Sequence, residues 1–194
     1  MNVTVFCSSS EVVHQSYAEL AKSIGEQLAI QGYTLIYGGA NVGLMQHVAN
    51  YALLSGGKVI GIIPELIADK ELAHNGLSEL IITADMHERK KKLTDMADAF
   101  IVLPGGFGTY DEFMQVVTER QLELHHKPII LVNFNNFFHG TLIQIEHAIR
   151  EKFIHEGYKN LFYVADNVAD CMEILKKPIS LSITSKWYKD NLNR

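Results

Sequence analysis

Cysteine is nearly absent from this chain of 194 residues, with Cys7 and Cys171 the only two. They make neither a disulfide framework nor the spacing of a metal site, and they read as the reduced thiols of a cytoplasmic protein. The nine histidines are scattered. His125 and His126 are adjacent, but neighbours on a helix do not share a face, so no metal site is expected there. No apolar run approaches the roughly 18 residues of a membrane span, and none is expected. The opening Met1-Asn2-Val3-Thr4-Val5-Phe6 has no basic stretch and no long apolar core, and reads as a strand rather than a secretory signal. Positive charge is not in surplus either. Seventeen Lys and Arg stand against 22 Asp and Glu, a formal charge of −5, which is the wrong footprint for a nucleic-acid partner. No repeat, low-complexity linker or shift in composition divides the chain. Residues 1–194 are therefore expected to form one domain, with a weakly patterned tail over 178–194.

What the chain does have is alternation. Strands are predicted over 2–7, 34–37, 58–63, 79–83, 99–103, 128–132 and 161–164. Helices are predicted from the Ser8-Ser9-Ser10 turn to about 31, then over 44–54, 86–97, from the Pro104–Glu112 motif to about 124, 137–152 and 167–176, while 64–78 reads mostly as loop. The strands are apolar on both faces, the mark of a parallel sheet covered by helices on both sides. The predicted fold is α/β: a Rossmann-like, doubly wound, mostly parallel sheet of about seven strands. Ligands of such sheets bind beyond the carboxyl ends of the strands.

Two glycine turns fall at such ends. Gly38-Gly39-Ala40-Asn41-Val42-Gly43 resembles a dinucleotide turn only loosely. No acidic residue ends the next strand to hold a ribose, and a tight strand-to-helix turn explains it as well. The second turn, Pro104-Gly105-Gly106-Phe107-Gly108-Thr109-Tyr110-Asp111-Glu112, is richer. Glycines let the backbone approach a ligand, and the start of a helix offers free N–H groups and partial positive charge to a phosphate. Asp111 and Glu112 are expected in the first turn of that helix. Thr109-x-x-Glu112 also fits a capping box, with Thr109 as the cap and Glu112 reaching back to it.

The helix beginning Met86-His87-Glu88-Arg89-Lys90-Lys91-Lys92-Leu93 places Met86, Leu93 and Ala97 on one apolar stripe, flanked by Arg89 and Lys90, with Lys91 and Lys92 pointing away. Charges beside a core need an anion, whether a protein carboxylate or a ligand phosphate.

Met86-x-x-Arg89-Lys90 followed by Pro104-Gly105-Gly106-x-Gly108-Thr109-x-x-Glu112 resembles the paired motifs of the LOG (Lonely Guy) family, cytokinin riboside 5′-monophosphate phosphoribohydrolases once labelled lysine decarboxylases. The likeness runs from about residue 3 to 175 and takes in Tyr37-Gly38-Gly39, Gly43-Leu44-Met45, Gly61-Ile62-Ile63-Pro64 and Gln121-Leu122. It implies hydrolysis of the N-glycosidic bond of a nucleoside 5′-monophosphate, with Arg89 and Glu112 catalytic. Gly38, Gly39, Gly43, Met86, Lys90, Gly105, Gly106, Phe107, Gly108, Thr109 and Asp111 would bind substrate. The resemblance also puts Glu71 against the adenine and makes Thr118 a further contact. Thr118 falls about 180° around the helix from Thr109, which points it to a second subunit's site and fits the family's homodimer with active sites near the interface and no metal or organic cofactor. This chain departs from the family at Ser8, Ala40, Gln46 and Glu119-Arg120, which leaves open whether modified adenine or plain AMP is preferred. Two other classes fit parts of the pattern: a nucleotide-binding module without catalysis, and a pyridoxal-phosphate decarboxylase, for which no lysine stands out.

Overall fold

The computed structural model describes residues 1–68 and 73–177. Seven strands form one sheet: β1 (Asn2–Phe6), β2 (Thr34–Tyr37), β3 (Val59–Pro64), β4 (Glu79–Thr83), β5 (Ala99–Val102), β6 (Ile129–Val132) and β7 (Tyr163–Ala165). Every pairing is parallel, in the order β4-β3-β2-β1-β5-β6-β7. The helices between them are α1 (Gln15–Ile30), α2 (Gly43–Leu54), the single turn α3 (Glu65–Ile67), α4 (Met86–Asp95), α5 (Phe107–Gln121), α6 (His139–Arg150) and α7 (Val168–Lys176). This is the Rossmann-like, doubly wound architecture that the alternating pattern predicts.

The period of two along each strand divides the core. Val3, Val5, Leu35, Tyr37, Ala99 and Ile101 face α1, α2 and α7. Phe6, Ile36, Ile60, Ile62, Phe100 and Val102 face α4 and α5. Strands buried on both faces must be apolar throughout, which is why their sequences read as unbroken runs. The chain winds outward from β1 to β4, then returns to lay β5 on the other side of β1. The order reverses at that point. Phe6 and Val102 pair across it, so the Ser8–Ser10 turn and the Pro104 motif leave the sheet side by side. A crevice opens where two neighbouring strands send their connections to opposite faces.

Several boundaries differ from expectation. Helix α5 begins at Phe107, with Gly106 as an extended N-cap and no capping side chain. Thr109 is thus the third helical residue, not the cap, and the capping box does not form. Asp111 and Glu112 fall in the second turn, and no acid lies in the first. Residues 64–78 contain the turn α3 and a bridge from Ala73 to Ala40. The tail 178–194 lies outside the described residues.

At its other end α5 closes with Glu123 N–H on the Arg120 carbonyl and Leu124 N–H on the Glu119 carbonyl, a pairing that puts Glu123 in the left-handed region at φ 61°. Glycine is the residue suited to that position. Glu123→Gly relieves a cost of roughly 1–2 kcal/mol and gives part of it back as unfolded-chain entropy. Denaturant unfolding should show Glu123→Gly to be the more stable protein, by up to about 1 kcal/mol.

Candidate active site

A cavity of about 460 Å³ opens at the reversal point. Its walls come from the turn after β1 (Ser8, Ser9, Ser10), the turn after β2 (Gly38, Ala40, Val42), Ile67 of α3, Met86 and Arg89 of α4, and Gly106, Phe107, Gly108, Thr109 and Glu112 of α5.

At its centre Arg89 Nη1 donates to Glu112 Oε1 at 2.8 Å. Both side chains are close to sealed, about a tenth exposed. A second bond fixes the guanidinium, from Arg89 Nε to the carbonyl of Ile62 at 3.1 Å. Glu112 Oε2 accepts no hydrogen bond from, and Arg89 Nη2 donates none to, any other described residue. Burial pushes the Glu112 carboxyl above the ordinary carboxylate range, and the Arg89 charge partly offsets that shift. Beneath the pair lies the Cys7 thiol, driven far up by burial and then by the charge of Glu112, so it stays protonated and inert.

The N-terminus of α5 faces the same space. A helix leaves its first N–H groups unpaired, and here no side chain caps them. With glycine as the N-cap, this start forgoes about a few tenths of a kcal/mol that a Ser or Asp would supply. A Cβ at Gly106 or Gly108 would meet nothing within 4 Å, so this end of the helix is open to a ligand. Phe107, the first helical residue, is 97% exposed and forms part of the rim. The arrangement combines an anion cradle, a buried carboxylate with one free oxygen, and a fixed cation.

A family model described as "Possible lysine decarboxylase" matches residues 45–175. A cytokinin riboside 5′-monophosphate phosphoribohydrolase of Rhodococcoides fascians is 43% identical over 178 residues, 91% of this chain and 90% of that protein. The chain belongs to the LOG (Lonely Guy) family. The Arabidopsis thaliana LOG5 enzyme of the same name is 36% identical across 95% of this chain and 82% of its own length. Among solved structures, the molybdenum cofactor binding protein of Rippkaea orientalis superposes with a TM-score of 0.69 over 90% of this chain and 94% of that one. At 22% identity that likeness speaks for the fold alone.

The LOG motifs do not all reach the cavity. Arg89, Glu112, Met86, Gly38, Gly106, Phe107, Gly108 and Thr109 line it. Met86 is 43% exposed, a wall residue rather than part of the buried stripe predicted for α4, because it is the first residue of the helix and overhangs the sheet edge. Lys90 and Asp111 lie outside and are satisfied by each other, Nζ to Oδ2 at 3.0 Å. Gly105 packs under Thr109, where a Cβ would come within 2.0 Å of its hydroxyl. Gly39 and Gly43 also stand behind the wall, against the backbones of Ile62 and Ser9. Thr118 is exposed on the outer face of α5, beside Met114 and Gln115. Glu71 lies outside the described residues. The sequence reading missed the serine turn after β1 and Ile67, which carry no motif and enter the site only through the topology. Arg120, one of the departures from the family, is buried under the end of α5 and donates to the Lys127 carbonyl. It does not line the cavity.

Because Arg89 holds the Glu112 carboxyl down against burial, Arg89→Gln should move its titration to higher pH. The Glu112 carboxyl carbon, followed by NMR across pH, should show a midpoint above that of the unsubstituted protein.

Proposed function

We propose that this LOG protein hydrolyses the N-glycosidic bond of a purine nucleoside 5′-monophosphate, of cytokinin type or AMP, releasing the free base and ribose 5-phosphate. The observation that carries this reading is the uncapped start of α5 facing the same cavity as the buried Arg89–Glu112 pair. Relatives at 43% and 36% identity bear the name of that activity.

In this reading the N–H groups of Phe107, Gly108 and Thr109 receive the 5′-phosphate. The Thr109 hydroxyl lies beside them. The phosphate then anchors the ribose with C1′ toward Glu112. As the base departs, positive charge grows on the sugar ring, and the Glu112 carboxylate stabilises it and orients or deprotonates the attacking water. Water adds to C1′, the C1′–N bond breaks, and its electron pair leaves with the base. Arg89 favours the ionised form of Glu112 against burial, and its Nη2 remains for the phosphate, the sugar or the departing base. Met86, Phe107 and Ile67 form an apolar rim suited to a base. Among the described residues no lysine lines the cavity, which favours hydrolysis over the Schiff-base chemistry of a pyridoxal enzyme.

We further propose one domain and a homodimer in the cytoplasm. Cys7 and Cys171 are both free and buried, as suits a reducing compartment. Thr118 lies nine residues from Thr109, about 180° around the helix, so its own site is out of reach and a partner's is the natural recipient. The outer face of α5 exposes Met114. Helix α6 buries none of its residues fully, despite Leu142, Ile143, Ile145 and Ile149. In sedimentation, Met114→Asp should shift the protein from dimer toward monomer.

Incubated with AMP and with isopentenyladenosine monophosphate, the pure protein should release base and ribose 5-phosphate in equal amounts, read by chromatography. Glu112→Gln and Arg89→Ala should each lower kcat/KM by roughly 10²–10³-fold. Tight AMP binding with no base released from either nucleotide would select the non-catalytic module instead.

A further inference from the structure

The glycines of the first turn are glycine for different reasons. Gly39 has φ +75°, which side chains rarely adopt, and packs on the backbone of Ile62. Gly43 has φ +55°, and a Cβ there would stand 2.5 Å from the backbone of Ser9. Gly38 is different. It is not among the positive-φ glycines, so no left-handed backbone calls for glycine there. What excludes a side chain is occupied space. A Cβ on Gly38 would fall 2.4 Å from Arg89 Nη2 and 2.9 Å from Met45 Sδ. The turn as such does not demand the smallest residue throughout, since Ala40 stands two positions on, buried and bridged to Ala73.

We propose that Gly38 is a positioning residue for Arg89: its missing side chain is the slot in which the guanidinium lies. The end of β2 then acts on the chemistry without touching it. Three elements hold the arginine: the Ile62 carbonyl of β3 on Nε, Glu112 of α5 on Nη1, and the bare Cα of Gly38 against Nη2. A methyl group at Gly38 meets only the far ends of two flexible side chains, so the fold survives and the guanidinium moves. That separates Gly38 from Gly39 and Gly43, where a methyl group strains or strikes backbone. With Arg89 displaced, Glu112 loses the charge that favours its ionised form, and the cavity loses its fixed cation. The inference rests on the hydrolase reading of this site for its effect on turnover, but not for its effect on ligand binding.

The test is a double-mutant cycle of Gly38→Ala and Arg89→Ala, read by AMP turnover, by AMP affinity in calorimetry and by thermal unfolding. Gly38→Ala should fold and melt close to the unsubstituted protein. Its kcat should fall roughly 10- to 100-fold, and the acid limb of its pH profile should move to higher pH, as a carboxyl short of its cation requires. Its AMP affinity should fall as well. Both losses should vanish in the Arg89→Ala background. Equal losses in the two backgrounds, an unchanged kcat and affinity, or a Gly38→Ala chain that fails to fold would each overturn the proposal. A parent protein that turns over no nucleotide overturns the hydrolase reading instead, and the calorimetric cycle then decides the role of Gly38 alone.

Discussion

A guanidinium and a carboxylate 2.8 Å apart, both largely removed from water, are the constraint around which this protein is arranged. Burying two charges costs several kcal/mol per ion, and their attraction recovers it only when the geometry is good and the spare hydrogen-bonding groups are answered. Here the pair is held from three places in the chain, with Glu112 Oε2 and Arg89 Nη2 left over. Ile62 lends a backbone carbonyl, Gly38 withholds a side chain, and α5 carries Glu112 across from the other side of β1. Residues 38, 62, 89 and 112 meet because a parallel sheet delivers every strand's carboxyl end to one edge. The reversal between β1 and β5 leaves a gap there for the side chains to enter.

The same reversal explains why the α5 N-terminus is free. Glycine at 105 lets the Thr109 side chain pack close against the turn, and glycines at 106 and 108 present bare backbone to the cavity. The helix therefore starts three residues before the Thr-x-x-Glu pattern would place it. That shift turns Glu112 away from the helix's own amides and toward Arg89. Local capping and the long-range ion pair compete for one carboxylate, and the ion pair holds it.

Much of this was legible in the residues. Strand order and the single turn α3 aside, the seven apolar runs and the helices between them follow from periodicity alone, because a doubly covered sheet leaves its central strands no polar face. Arg89 was legible on the helical wheel, since a charge beside a buried stripe must find a partner. Other features were not. A capping box and a glycine turn with an uncapped helix start share the same letters at Thr109 and Glu112, and only the position of the N-cap distinguishes them. Met86 keeps helical spacing with Leu93 yet sits where the helix overhangs the sheet, and no wheel records where a sheet ends. The pairing of Lys90 with Asp111 depends on how α4 lies against α5. Glu123 gives no sign that it occupies a left-handed position. The purpose of Gly38 is invisible in sequence, where a glycine needed for space and a glycine needed for φ look alike.

Two features of the site run against the stability of the protein. A buried ion pair contributes less than well-packed apolar side chains of the same volume would, and an uncapped helix forgoes its cap. Either alone could be an accident of packing. Both open onto one cavity, lined in part by bare glycine and backbone, and an anion would answer them together: it supplies the missing cap and a second partner for the guanidinium. Binding to the folded chain alone then draws the equilibrium toward it. The local rules broken here are thus broken together, at the cavity of the proposed active site.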